Sequence, residues 1–331
     1  MPSPHNFQKP QILQRFRIPG IFWGVLFLFV LFSVLRPDRF FTMTNMMFLT
    51  RNSAVLVIAA IGMTCAILIS QVDLSIGSVM SLSGVIAAVL IRAEFPVFIA
   101  IFVAMLAGVL VGFVNGVLIA RLKFDFWIVT FSTMGVCAGL ALVIADGRTV
   151  PVANAAFAWI GGGRVGPLFF LVYFAIALVV LMHFVLTKTK FGHKVYAIGG
   201  SEQSAILSGI PVVRNRIYVY MISGLFAAMA GVILAAMGSS ASPIAGVPYS
   251  FEAIAAVIIG GTTFDGGKGG VIGTVLGALM LRTLASGLNL LGVAATWQQF
   301  IIGFVIVVAI IADVLGEKRR KRNDLRRRYA Q

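Results

Sequence analysis

Ten apolar runs follow one another along this chain, at about 20–36, 53–70, 78–92, 96–120, 127–145, 166–186, 216–238, 251–262, 271–290 and 297–314. They constrain the fold more than any other feature. A helix that crosses the roughly 30 Å of bilayer hydrocarbon needs about 20 apolar residues. Most of the runs reach that length; 53–70, 78–92 and 251–262 are short. Only 11% of the 331 residues are charged, against roughly 25% in a soluble domain, too few to keep a globule of this size in water. The 60% apolar content excludes a disordered chain, which needs low hydrophobicity. The expected fold is all-α: a polytopic transmembrane helical bundle of about ten spans, some broken or short. Residues 1–19 form a cytoplasmic N-terminal segment, 20–314 the transmembrane domain with a cytoplasmic loop at 187–215, and 315–331 a basic cytoplasmic tail.

Orientation follows from the basic residues. With the N-terminus inside, nineteen of the 26 Lys and Arg fall in inside segments, eight of them between Lys318 and the C-terminus. An excess of Lys and Arg on the cytoplasmic side is the rule for membrane proteins, so both termini are expected in the cytoplasm. A basic tail that abuts a span meets anionic lipid headgroups. No basic run is interleaved with stacking aromatics, so the net charge of +15 does not predict nucleic-acid binding. The first run, Ile21 to Leu35, is followed by Arg36-Pro37-Asp38-Arg39 and not by a small-x-small cleavage site, which makes it a retained span. Cys65 and Cys137 both lie in apolar runs, so neither a disulfide framework nor a metal-ligand set is expected.

Two polar, glycine-rich stretches interrupt what composition would make membrane: Ile69 to Ser78, and Ile259 to Gly270. Unwound backbone at membrane depth has to be buried in protein or line a wet cavity, and Gly-interrupted short spans in corresponding places of two halves point to a transport path. Ala66-Ile67-Leu68-Ile69 and Ala256-Val257-Ile258-Ile259, each leading into a break, hint at an internal repeat. The alternative is that both are turns at the cytoplasmic face, with Asp73 capping the next helix and Lys268 obeying the positive-inside rule. An ionisable group in a span is expensive and marks function by default, so Asp73 reads either as a cap or as the cation or proton site of an ion-coupled secondary transporter. Asp265, beside Gly266-Gly267, orders its turn; His183 and His193 read as structural.

Catalytic chemistry finds no carrier. Gly267-Lys268 resembles part of a phosphate-binding loop, but Thr262 stands where that loop needs its first Gly, and Gly269 where it needs Ser or Thr for magnesium. Neither Gly-x-Ser-x-Gly nor His-Glu-x-x-His occurs. No catalytic residue, metal or cofactor is therefore assigned, and the energy for transport must come from an ion gradient or from separate chains. The inside loop offers a docking element. Ser201 followed by Glu202, and then by Gly209 and Pro211, reads as one short helix with a stop. Its Ala205, Ile206 and Leu207 are apolar on an exposed loop, and such a helix either lies in the headgroups or wants a partner.

Four stretches resemble the membrane permease subunits of bacterial ABC importers for ribose, galactose, xylose and related solutes. The family's Gly-Gly-Ile-Asp-Leu-Ser-Val-Gly matches Ser70 to Gly77, and its Phe-Ile-Val-Thr-Leu-Gly-Thr-Met matches Trp127 to Met134. Its Tyr-Ala-Ile-Gly-Gly-Asn-x-x-Ala-Ala-Arg-Leu-Ser-Gly-Ile matches Tyr196 to Ile210. Its Ile-Ala-Ala-Val-Ile-Gly-Gly-Thr and Gly-Gly-x-Gly match Ile254 to Thr262 and Gly266 to Gly269. The resemblance, over roughly 45–315, implies a bacterial inner-membrane protein that pairs with a second permease subunit, identical or not, to form the path for a monosaccharide or similar small polar solute. It implies a cytoplasmic ATPase docked on Ser201, Glu202, Ser204, Ala205, Ile206, Leu207, Ser208 and Gly209, ATP being used by that partner. It also implies a periplasmic or extracellular solute-binding protein, for which Tyr249 and Glu252 are the candidate face. Gln71, Asp73, Ser75, Thr130 and Phe264 are the residues expected near the path.

The departures are specific. Ser70-Gln71 replaces Gly-Gly, Ser201 replaces Asn, Ile206 replaces Arg in the docking helix, and Ala138 stands where an Arg is common in the fifth span. The docking changes imply an ATPase matched to this permease.

Overall fold

The computed structural model describes residues 20–294, 296–298, 300–305, 307–308 and 311. The expected segments 1–19 and 315–331 lie outside the described residues, as does part of the last apolar run. The described chain is a helical bundle. In order come α1 (Gly20–Leu35), α2 (Pro37–Phe40), α3 (Met43–Leu68), α4 (Ile76–Arg92), α5 (Val97–Ala120), α6 (Phe126–Ile144), α7 (Ala155–Gly162), α8 (Phe170–Lys188), α9 (Lys190–Gly200), α10 (Glu202–Leu207), α11 (Val212–Gly238), α12 (Val247–Ile259) and α13 (Val271–Leu290). Two two-residue ladders, β1 (Val150–Pro151) with β4 (Ser240–Ala241) and β2 (Arg164–Val165) with β3 (Leu168–Phe169), tie loops together. Among the described residues six helices (α3, α5, α6, α8, α11 and α13) are long and apolar enough to cross a membrane; Ile21–Leu35, α4 and α12 are shorter apolar helices.

Two expectations about length are corrected. The run at 53–70 is not short: α3 spans 26 residues, because the helix begins at Thr42, whose side chain accepts from the Asn45 N–H, well before the apolar run starts. Thr44, Asn45, Thr50, Arg51 and Asn52 are scattered through its first ten residues, and hydropathy alone hides that stretch. The loop at 187–215 holds two helices and not one. Thr189 caps α9 by accepting from the Gly192 N–H, and Ser201 both ends α9 and caps α10.

The bundle is built around α3 and α11, whose apolar stretches are the most buried. Helices α5 and α6 show most of their large apolar side chains to the outside, as lipid-facing helices do. Glycine decides how closely α5 and α11 approach. Gly108, Gly112 and Gly116 recur every fourth residue on α5 and lie against Gly224, Tyr220 and Ile217 of α11. A Cβ at Gly112 would run into the Tyr220 carbonyl, and one at Gly224 into that of Gly108. This is small-residue packing in a setting where lipid offers no hydrophobic drive, so dispersion at close backbone approach has to hold the helices together. Substituting Gly112 by Leu is expected to destabilise the bundle by about 1–3 kcal/mol. Thermal unfolding of detergent-solubilised protein, compared with the lipid-facing control Gly135→Leu, whose Cβ meets open space, checks it; equal melting of the two would contradict this packing.

Candidate substrate path and coupling face

Both breaks lie at the same end of the bundle and pack on each other. The Gly267 N–H donates to the Leu68 carbonyl (2.9 Å), the Ser70 hydroxyl donates to the Asp265 carbonyl (2.6 Å), and Tyr196 Oη of α9 donates to the Gly269 carbonyl (2.9 Å). The fit is too tight for side chains: a Cβ at Gly199 would overlap the Leu68 carbonyl. Ser70 itself has φ of 60°, the left-handed region that costs a side-chain-bearing residue about 1–2 kcal/mol. This explains the glycine of the resembling family at that place, and the bond to Asp265 is the compensation Ser70 makes.

Asp73 sits deeper and is fully enclosed. Its Oδ1 accepts from the Ser75 N–H (3.0 Å) and the Ser75 hydroxyl (2.5 Å), and its Oδ2 from the Ser223 hydroxyl of α11 (2.7 Å). The chain of bonds continues. Asn115 of α5 donates to Ser75 Oγ (3.1 Å), and Thr133 of α6 donates to Asn115 Oδ1 (2.6 Å). Ser250 of α12 completes the break by accepting from the Gly77 N–H (2.8 Å) and donating to the Leu74 carbonyl (2.9 Å). Buried polar groups in a low dielectric have to be paired, and a fully paired network fixes geometry. Here a carboxylate pins α4, α5, α6 and α11 to one unwound segment. Among the described residues no other acid or histidine bonds into this network.

Of the other candidates for the path, Gln71 is buried with Oε1 unpartnered among the described residues. It lines a cleft of about 910 Å³ with Arg121, Asp125, Glu202, Ile206 and Arg216. Thr130 is buried and donates to its own helix at Phe126 (2.8 Å). Phe264, in the turn between α12 and α13, is half-buried against the main core. Thus Asp73 and Ser75 are brought together, Gln71 opens to a different surface, and Thr130 and Phe264 join neither. Sequence reasoning missed Ser223, Asn115, Thr133 and Ser250. The signal was present in one case: Asn115 is the sole side chain in α5 with a strong polar group.

The short helix α10 is shaped at both ends. Ser201 Oγ accepts from the Ser204 N–H (3.2 Å) at its start, and Ser208 Oγ donates to the Ser204 carbonyl (2.8 Å). Gly209 at φ of 74° ends it, with the Ile210 N–H reaching back to the Ala205 carbonyl (3.0 Å). Glu202 pairs with Arg216 of α11 (2.7 Å). The expectation of three exposed apolar residues is corrected for Ala205, which is buried as the helix's anchor on the bundle; Ile206 is more than half exposed and Leu207 is 89% exposed. Period 3.6 cannot put three successive residues on one face, and the bundle took the first. At the opposite end, Glu252 of α12 pairs with Arg282 of α13, whose guanidinium lies 5.0 Å from the Tyr249 ring centroid. Tyr249 and Glu252 are therefore half-buried and engaged within the chain.

Comparison with known proteins places this geometry. A family profile described as branched-chain amino acid transport system / permease component matches residues 45–310. The ribose import permease protein of Haemophilus influenzae is 40% identical over 95% of this chain and 98% of its own. That of Bacillus subtilis is 39% identical over 89% and 92%, and the D-allose transport system permease protein of Escherichia coli 35% over 90% and 92%. Among solved structures, a metal-chelate type ABC transporter in an inward-facing conformation aligns with a TM-score of 0.52 at 13% identity, covering 90% of this chain and 99% of that one. At that identity the likeness speaks for the fold alone.

Removing either end of the Asp73 network leaves buried polar groups without a partner, an acceptor in one case and donors in the other, which costs about 1–3 kcal/mol per group. Ser223→Ala is expected to lose about that much stability, and Asp73→Ala more, because three donors are orphaned together. Thermal unfolding in detergent reads the difference; an Asp73→Ala variant as stable as the parent would remove the structural role.

Proposed function

The chain belongs to the permease family of branched-chain amino acid and related transport systems, and we propose that it is the membrane subunit of a binding-protein-dependent ABC importer for a monosaccharide. It is a transport subunit of the multi-pass membrane class. Its relatives named above import ribose and allose, and this supports a neutral polyhydroxylated solute of five or six carbons as cargo.

The observation that carries the proposal is the segregation of two faces. Segments 69–75, 121–125, 187–215 and 260–270, which the charge rule assigns to the inside, converge at one end of the bundle around Gln71, α9 and α10. Segments 36–52, 146–165, 239–250 and 282–296, assigned to the outside, converge at the other: β1 pairs with β4, Arg51 donates to the Gly161 carbonyl, and Ser286 donates to Asn45. Six long helices, three shorter ones and the apolar run 297–314 make ten spans, and an even number returns the C-terminal tail to the side of the N-terminus. Both termini are then cytoplasmic in the inner membrane, with 20–314 as the permease domain.

In this reading a cytoplasmic ATPase seats on α10, with Ser201, Glu202, Ser204, Ile206, Leu207, Ser208 and Gly209 at the contact and Ala205 beneath them. The Glu202–Arg216 pair and the buried Ala205 couple α10 to α11, so closure of the ATPase subunits is handed to the helix that holds Asp73 through Ser223. Rigid-body movement of packed helices then alternates the side to which the path opens. Gln71 lies at the inner mouth. Asp73 and Ser75 hold the break in shape beside it, and Thr130 and Phe264 pack behind. Tyr249 and Glu252 sit toward the end that receives the solute-binding protein, and a second permease subunit completes the pore. The ion-coupled alternative asks Asp73 to titrate. Its three neutral donors and the absence of a second acid in its network favour a fixed anchor.

Leu207 decides between partners. Replacing it by Glu leaves the fold intact, because the side chain is exposed, but puts a charge where the ATPase groove is expected. Loss of an apolar anchor at an interface weakens association about tenfold or more. Proteoliposomes carrying the permease, its ATPase and its binding protein are expected to hydrolyse ATP in response to sugar-loaded binding protein, and Leu207→Glu is expected to lose that response. Undiminished stimulation would move the docking site elsewhere; uptake that follows a proton or sodium gradient without ATP would replace the importer reading with the secondary carrier.

A further inference from the structure

Near the end of the bundle remote from α10, α3 and α13 face each other across an open cleft of about 680 Å³. Both helices turn a polar stripe to it. On α3 the stripe is Asn45, Phe48 and Asn52; on α13 it is Arg282, Ser286 and Asn289. In each helix these positions recur at three- or four-residue steps over seven residues, which is one helical face. Polar residues on one face of a membrane helix point to the bundle interior or to water, because lipid does not tolerate them. At 1.5 Å per residue, Asn52 lies about 24 Å along α3 from Leu68 at the inner break, so this cleft and the Gln71 cleft are separate.

The lining selects a chemistry. Its charges cancel: Arg282 is paired to Glu252 at the floor, and Asp38 and Arg39 are neighbours at the rim. The other polar groups are amides and hydroxyls, set beside the apolar Phe48, Leu49, Ala285 and Leu290. Asn45 is spent on structure, donating to the Phe40 carbonyl (2.7 Å) and accepting from Ser286 (3.0 Å). Asn52 uses one N–H on its own helix, at the Phe48 carbonyl (2.9 Å). Asn289 is exposed and makes no side-chain hydrogen bond to the described residues. An amide offers donors and an acceptor together, which complements a sugar hydroxyl, itself both. Phe48, half exposed at the same surface, offers an apolar plane to a ring's C–H face.

We infer that this cleft between α3 and α13 is the outer receiving site of the path, taking a neutral polyhydroxylated solute through Asn52 and Asn289 over the Arg282–Glu252 floor. The inference rests on the importer reading above and names the residues that receive its cargo. It also gives the ion pair a function: Glu252 holds in place Arg282, which lines the cleft.

The test uses the reconstituted importer with a panel of D-ribose, D-allose and L-arabinose. Whichever sugar the unmodified assembly accumulates with ATP is the probe. The double variant Asn52→Leu/Asn289→Leu is expected to lose roughly tenfold or more of its uptake, the order for two hydrogen bonds of about 1 kcal/mol each. Binding-protein-stimulated ATP hydrolysis should persist. Unchanged uptake overturns the inference, and so does loss of ATP stimulation along with uptake, since that places the residues in subunit coupling. In a second measurement, Asn52→Cys and Asn289→Cys are each labelled by a membrane-impermeant thiol reagent; the native Cys65 and Cys137 are buried. Labelling from the side opposite α10, slowed by the transported sugar, is the expected result. A thiol that stays unlabelled because a second copy of the chain covers it, or labelling that the sugar does not slow, overturns it. If the unmodified assembly transports none of the panel, the monosaccharide reading itself fails, and that result is distinct from the outcomes above.

Discussion

An unwound segment inside a helical membrane bundle has to find partners for its backbone without water, and here the carboxylate of Asp73 is the organising partner. It takes the Ser75 N–H, the Ser75 hydroxyl and the Ser223 hydroxyl, while Ser250 takes the Gly77 amide of α4 and donates to the Leu74 carbonyl. An unsatisfied amide in such a place costs several kcal/mol, so the break exists because these side chains are where they are. Through Asn115 and Thr133 the same network reaches α5 and α6. Four helices thus depend on one buried acid, and its burial alone does not make it a titrating site.

Glycine supplies the complementary constraint. Gly108, Gly112 and Gly116 bring α5 against α11, and Gly199 lets α9 close on the Leu68 end of α3. Close-packed interfaces have no slack and move as units. A push on α10 therefore has a route of two steps: from α10 to α11 by the Glu202–Arg216 pair, and from α11 to the break by Ser223.

Much of this was legible in the sequence. The apolar runs located the long helices, and Gly-Gly-Thr with Gly-Gly-x-Gly located the second break. What was not legible follows from physical causes. The start of α3 has low mean hydropathy although it is helical, since its Thr42 cap does not register in a hydropathy window. Helix α9 hid because it is short and glycine-rich, and its stability comes from contact with the breaks, a non-local term. Ser223 and Ser250 look like any small residue in an apolar run; only the fold brings them within bonding distance of residues some 150 and 175 positions away. Asp73 was visible and its neighbours were not, so its environment could not be read from spacing.

The two clefts and the matter between them set a limit on mechanism. The inner cleft ends at Gln71 and Arg216, and the outer one at Arg282. Between them lie the fully buried middle of α3, from Val55 to Leu68, and the small-residue contacts of α12 and α13, where Gly277 rests on the Ala256 carbonyl. A monosaccharide cannot pass through packing of native density, so the clefts can be joined only if helices separate along a seam. The α5–α11 seam is closed by glycines over eight residues and pinned by the Asp73 network at one end. The α3–α13 seam is held near the inner break by the Thr64 and Thr274 hydroxyls at 2.8 Å, and beside the outer cleft by the Ser286–Asn45 bond at 3.0 Å. The weaker seam is the one lined with amides, since two isolated side-chain bonds are a smaller barrier than a network that holds four helices. On the importer reading, opening is therefore expected to run between α3 and α13, with α5 and α11 moving together as the rigid body that α10 drives.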